Sequence, residues 1–264
     1  MNSIKKKKQN TQIEFLLYIK RQGMSEVQNF KILEFDSRDE MAQLAAKDIE
    51  EAIKNVLNEK DEVRMIFACA PSQVEVLNYL VTKDVEWEKV VAFHMDEYEG
   101  LQDKSKSFGH FIEVYLADKV DLKQMNYIGH SKESYKKFED SLVSSPIDIV
   151  VMGVGENGHI AFNEPEYADF NDKEILKEVI LDNTCRMQQV HDKCFDKFED
   201  VPEKAMTLTV PVLTGCDNTF VIVPGETKRE ILKKLVDAPI TEELPASILK
   251  TKDNVKFYTD QKVY

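Results

Sequence analysis

The chain has 264 residues, 42% of them hydrophobic, enough for one large α/β domain or two small ones. With 35 basic against 48 acidic residues its formal net charge is −13, which repels nucleic acid and anionic membrane and excludes both as expected partners. Its four scattered cysteines, Cys69, Cys185, Cys194 and Cys216, form no C-x-x-C pair and no His/Cys cluster of ligand spacing, so reduced thiols, a cytoplasmic setting and no bound metal are expected.

Residues 1–29 read as a flexible extension ahead of a single domain over 30–264. Lys5 to Lys8 is a charge run. The apolar piece Ile13 to Ile19 contains Glu14, is too short to span a bilayer and is followed by no small-residue cleavage site. Ser37-Arg-Asp-Glu40 is a capping-box pattern, and it opens a helix with Met41, Leu44, Ile49 and Ile53 on one face. Val63 to Cys69 reads as the first buried strand. Ala70 to Glu75 reads as a strand-to-helix turn with a second capping box, from Ser72 and Glu75, and such a helix start suits an anion. Trp87 to His94 is the next strand, with Asp96 and Glu97 beyond its end. Ser107 to Val120 reads as a helix in which His110 is structural or solvated, and Met125 to Gly129 as a short strand. Ser131 to Leu142 is an amphipathic, charged helix, and Ile147 to Met152 is a buried strand.

Residues 166–177 are polar and acidic, the pattern of a mobile flap over a site. Val179 to Leu181 and Ala205 to Val210 read as strands. Asn218 to Val223 is almost wholly apolar, which predicts a central parallel strand. A helix follows to about Val236, with Lys228 in its first turn. A lysine there opposes the helix dipole, which hints at an anion partner. Leu244 to Leu249 reads as a loop or turn and Val255 to Tyr258 as the last strand. Strands alternating with helices predict one Rossmann-like, doubly wound, mostly parallel sheet flanked by helices.

The chemistry concentrates in Gly153-Val-Gly-Glu-Asn-Gly-His-Ile-Ala-Phe-Asn-Glu-Pro165, directly after a strand. Three glycines, Gly153, Gly155 and Gly158, allow positive φ and offer main-chain donors to a ligand. His159 can move protons near neutral pH, and Glu164 lies five residues on. The spacing matches a dinucleotide fingerprint. That fingerprint belongs after the first strand and ahead of a helix, whereas Pro165 here closes off a helix, so no nicotinamide cofactor is expected.

Two stretches together resemble the glucosamine-6-phosphate deaminase (isomerase) family: Met95-Asp-Glu-Tyr-Glu-Gly-Leu101 and Gly153 to Pro165. The likeness runs from about residue 31 to the end. It implies a deaminating aldose–ketose isomerase acting on a 2-amino-2-deoxyhexose 6-phosphate, with no cofactor and a small-molecule sugar phosphate as partner. It further implies that Asp96 shuttles the C2 proton, that His159 handles the proton at the ring oxygen, and that Glu164 orients His159. Asn157 stands where some members carry Asp; it can hold the ring's geometry through one hydrogen bond but brings no charge. For the phosphate, the resemblance implies Ser72, Lys228 and the 185–191 region, where His191 takes the place of an expected Arg and Arg186 is near. Cys69, Ala70 and Pro71 depart from the family's Thr-Gly loop. Asn157 and Pro245-Ala-Ser247 leave glucosamine and galactosamine epimers open. A 6-phosphogluconolactonase and a non-catalytic sugar-phosphate sensor on the same fold are the alternatives. The acidic 166–176 segment predicts that effector control is absent or altered, and the oligomeric state, a homo-oligomer included, is left open.

Overall fold

The computed structural model describes residues 31–191, 193–216 and 218–264; the expected extension over 1–29, with its Lys5–Lys8 run, lies outside them. Strand β1 (Ile32–Glu34) leads to Ser37, whose hydroxyl accepts the Glu40 N–H at 3.1 Å and starts helix α1 (Arg38–Leu57). Met41, Ala45, Ile49 and Ile53 repeat at helical spacing and are fully buried. Strand β2 (Val63–Phe67) is followed by a tight turn at Pro71–Gln73 and helix α2 (Val74–Leu80). The capping box expected of Ser72 and Glu75 is not formed. Ser72 lies inside the turn, where its hydroxyl accepts from Gln73 Nε2 at 2.9 Å, and Glu75 pairs with Arg38 instead.

Strand β3 (Val90–His94) starts later than its apolar run, because Trp87–Lys89 form a turn. Strand β4 (Asp96–Glu99) follows after one residue. Helix α3 (Phe108–Ile112), capped by the Ser107 hydroxyl on His110 N–H, runs into one π turn over Glu113–Ala117. Next come β5 (Gln124–Asn126), α4 (Lys132–Leu142) with a complete Ser131/Ser134 capping box, and β6 (Ile149–Met152). The chain closes with β7 (Leu176–Ile180), α5 (Asn183–His191), β8 (Lys204–Leu208), α6 (Val210–Leu213), β9 (Asn218–Ile222), α7 (Arg229–Asp237) and β10 (Val255–Thr259).

Seven strands form one wholly parallel sheet in the order β1-β10-β9-β6-β2-β3-β5. Alternate residues of each strand face opposite cores. Met65 and Phe67 of β2 join Met41 and Ile49 of α1, whereas Ile66 joins Phe138 of α4 and Leu232 of α7 on the other side. The strand order reverses between β2 and β6, so the loops leaving these two strands diverge and open a crevice at their carboxyl ends.

A second, antiparallel sheet, β4-β8-β7, stands beside the first and was not foreseen. Asp96 and Glu97 read as acids at the carboxyl end of the preceding strand, yet both are buried in β4. Glu97 is satisfied there because its carboxylate accepts the N–H groups of Tyr98 at 2.9 Å, Phe108 at 3.0 Å and Gly109 at 2.8 Å, anchoring the start of α3. The expected flap at 166–177 is also corrected. Its backbone is tied down by Ala168 N–H on Glu164 O and by Lys177 Nζ on Tyr167 O, and Ala168, Ile175 and Leu176 are buried in the core. No helix among the described residues is long and apolar enough to cross a membrane.

Candidate active site

A cavity of about 340 Å³ occupies the crevice. Its wall takes Cys69 to Ser72 from the end of β2, Met95 and Asp96 from the end of β3, Gly153 to Gly155 from the end of β6, and Val223 to Gly225 from the end of β9. This is the position at which open α/β sheets bind ligands. Asp96 is the one acidic residue in the wall among the described residues, against Arg38, Lys193 and Lys228.

The glycine stretch builds one side. Gly155 N–H bonds His159 O at 2.9 Å and Gly158 N–H bonds Gly155 O at 3.0 Å, closing a tight loop in which Gly158 has φ +90°. A Cβ on Gly155 would sit 2.2–2.4 Å from atoms of the His159 ring, so glycine is what lets the imidazole lie flat against the loop. His159 Nδ1 is 2.7 Å from Glu164 Oε1, a close ion-pair contact that sets this nitrogen against the carboxylate and leaves Nε2 for a substrate. Asn157 Nδ2 donates to Glu164 Oε2, and Asn157 Oδ1 accepts the His159 main-chain N–H at 3.1 Å. Asn157 therefore fixes the carboxylate and the backbone, not the imidazole ring as expected. Burial pulls the Glu164 carboxyl up. The charge of a protonated His159, with hydrogen bonds from His159, Asn157 and Cys185, outweighs this and holds it below the ordinary value.

Asp96 faces the cavity from the other side. Burial, with the neighbouring Glu97 charge adding to it, pushes its carboxyl well above the usual carboxylate range. The small sheet sets its position relative to the glycine stretch. Asp96 pairs with Thr207 of β8, and Thr207 Oγ1 accepts the Phe162 N–H at 3.1 Å. Asn163 Nδ2 binds Leu208 O at 2.8 Å, and Phe162 packs between Tyr98 and Phe108, with ring centroids 5.6 and 5.8 Å away. Tyr98, Phe162 and Asn163 thus lock the two motifs together.

The other sequence-stretch candidates divide. Ser72, His191 and Lys228 line the cavity; His191 is exposed and Lys228 buried. Gly158 is corrected as a ligand donor: its N–H is committed to Gly155 O and it does not line the cavity. Arg186 is corrected too. Its guanidinium faces a different cavity, bonds Val201 O at 2.8 Å and Phe198 O at 3.2 Å, and stacks 4.2 Å from the Phe198 ring. Arg38, Gln188, Gln189 and Lys193 also line the cavity and were missed. Gln189 Oε1 accepts the Tyr98 hydroxyl at 2.6 Å. No spacing signal marks these four, because α1, α5 and the chain beyond α5 bring them in through tertiary packing.

A family model described as glucosamine-6-phosphate isomerases/6-phosphogluconolactonase matches residues 36–258. A glucosamine-6-phosphate deaminase of Lactobacillus johnsonii is 30% identical over 219 residues, 80% of this chain and 88% of its own. One of Bacillus cereus strain B4264 is 29% identical over 236 residues, 87% of this chain and 86% of its own. Among solved structures, a monomeric glucosamine-6-phosphate deaminase aligns with a TM-score of 0.79 at 24% identity, covering 89% of this chain and 98% of that one. A 6-phosphogluconolactonase from Shewanella baltica aligns at 0.71 and 14% identity, with the same coverage. At these identities the structural likenesses bear on the fold alone.

Proposed function

The chain belongs to the family of glucosamine-6-phosphate isomerases and 6-phosphogluconolactonases, and from that premise we propose that it is a deaminating isomerase that converts glucosamine 6-phosphate and water to the ketose 6-phosphate and ammonia. The observation that carries the reading is the pairing, across one cavity, of a buried Asp96 of raised pKa with a His159 backed by Glu164.

The roles follow from the geometry. His159 Nε2 serves the ring oxygen, giving it a proton as the C1–O bond breaks and the aldehyde forms. The imidazole is held in one orientation by Glu164, whose lowered pKa keeps it anionic beside the ring. Asp96 takes the proton from C2 and returns it to C1. Its raised pKa narrows the gap to the carbon acid and makes the carboxylic acid a competent donor on the return. C1 is reduced from aldehyde to alcohol as C2 is oxidised from amine to imine, and the N–H proton lost from the amine balances the proton gained at O1, so the step balances without an external electron acceptor. Water then adds to the C2 imine, and ammonia leaves. A lactone hydrolysis would give a base aimed at C2 nothing to do, which places 6-phosphogluconolactonase second.

Purified protein given glucosamine 6-phosphate is expected to release ammonium, and less from galactosamine 6-phosphate. In deuterated water the product should carry label at C1, because the Asp96 proton exchanges in part before it is returned. Absence of ammonium from both sugars would sink the reading.

A further inference from the structure

A hexose 6-phosphate carries close to two negative charges at neutral pH, and the chain it approaches has a formal net charge of −13. Attraction must therefore come from a local concentration of positive charge. Two sources that the sequence suggests do not supply it. Arg186 is turned to another cavity and satisfied by main-chain carbonyls. The turn after β2 has few free donors: Pro71 has no N–H, Gln73 N–H bonds Ala70 O at 2.9 Å, and Val74 N–H caps onto Pro71 O.

Arg38 occupies this end of the cavity instead. It is the first residue of α1, and its side chain reaches the turn after β2. Both of its hydrogen bonds leave one nitrogen, Nη2, to Pro71 O at 2.9 Å and Glu75 Oε2 at 2.8 Å. Its Nε is buried without a partner among the described residues, while the side chain as a whole keeps 37% of its exposure. A guanidinium in the first turn of a helix sits at the positive end of the dipole, which disfavours it. Lys228 repeats the conflict at the start of α7, in the wall of the same cavity. Two cations thus stand at two helix starts around one cavity, a placement that favours an anion between them. Lys193, the third cation of the wall, is exposed and lies beside His191, away in sequence from both helix starts.

We propose that Arg38 is the guanidinium that takes the substrate phosphate, together with Ser72 Oγ and Lys228, in the role that no arginine of α5 fills. The planar fork of arginine suits two phosphate oxygens at once, and its hydrogen bond to Pro71 O places it at the turn. The proposal rests on the sugar-phosphate reading of the site.

The test uses the full chain and the variants Arg38→Gln, Arg38→Lys and Glu75→Gln, with two readouts: calorimetric binding of inorganic phosphate, and KM against kcat for glucosamine 6-phosphate. Arg38→Gln is expected to weaken phosphate and raise KM about tenfold to a hundredfold, with kcat changed about threefold or less. Arg38→Lys, a point charge without the fork, should fall between. Glu75→Gln should bind phosphate as well as the parent or better, because its guanidinium loses a competing carboxylate. Unchanged phosphate binding in Arg38→Gln overturns the proposal. So does an equal loss in Glu75→Gln, which would make Arg38 only a brace for the turn. Phosphate titration needs no turnover. Loss of phosphate in Arg38→Gln from a parent that releases no ammonium would uphold Arg38 and fail the deaminase reading.

Discussion

The two ends of the cavity are built in opposite ways. The proton-moving end draws His159, Glu164 and Asn157 from one short loop, joined by contacts of 2.7 and 3.1 Å, and takes Asp96 alone from another element, β4. The anion-facing end draws Arg38 from α1, Ser72 from the turn after β2 and Lys228 from the start of α7. Moving a proton demands fixed angles and separations, and short-range hydrogen bonds inside a glycine loop provide them. Holding a phosphate demands summed positive charge, which any element can deliver that reaches the spot. The first requirement binds His159, Glu164 and Asn157 to one another as sequence neighbours, with Asp96 set against them by the small sheet; the second leaves its residues free to come from anywhere in the fold.

That contrast can be broken or sharpened by substitution. The largest effect is expected from Asp96→Asn, which should cut ammonium release by about 10²–10⁴-fold while phosphate binding holds; a parallel loss of phosphate binding would show that the ends are not separable. The same variant should melt higher at neutral pH. Asp96 has a raised native pKa, so its contribution to stability is full below the ordinary value of 3.8 and is lost as pH rises through the native value. Asn mimics the protonated form. The gain should therefore shrink as pH falls towards 3.8 in a series of thermal melts, and a gain that grows instead would contradict the burial argument.

Gly155→Ala comes next. Its methyl would press on the His159 ring, and a loss of roughly 1–3 kcal/mol in denaturant unfolding with about tenfold or more in kcat is expected. Phosphate affinity should not follow. Glu164→Gln should lower kcat less than Asp96→Asn and titrate with the opposite sign. Glu164 has a lowered native pKa, so its stabilisation is present above the ordinary value of 4.5 and lost as pH falls through the lower native value. The stability gap between parent and variant, read from urea unfolding, should close below that pH. Arg186→Met gives the smallest functional effect. It should cost about 1–2 kcal/mol through the Phe198 stack and the Val201 carbonyl, with KM unchanged. A raised KM there would return the phosphate to α5.

Much of this was legible in the chain because contiguous residues carried it. The buried runs of β2, β3, β6 and β9 read correctly as parallel strands, and Ser37 and Ser131 read correctly as helix starts. His159 and Glu164 could be paired because they lie five positions apart in one loop. The small sheet was hidden because β4 opens on two acids, and only tertiary partners, three N–H groups on Glu97 and the Thr207 pairing of Asp96, make them tolerable in a buried strand. Arg38 was hidden for a related reason. As the first residue of a surface helix it carries no pattern, and its role depends on the turn after β2 folding against it. Arg186 misled in the other direction, since proximity to the motif region said nothing about which face of α5 it occupies.

The Thr207 hydroxyl has a consequence for how the protein acquires activity. It holds the loop bearing His159 to β8, while the main chain of the same residue pairs β8 with the strand bearing Asp96, and β8 is synthesised after both. A slip of one residue in that pairing would turn Asp96 to the opposite face of β4. Helices such as α1 can form early from local contacts, but this three-way docking closes long stretches of chain and is slow. On refolding from denaturant, ellipticity is expected to return first and catalysis to trail it, with Thr207→Val lengthening the lag.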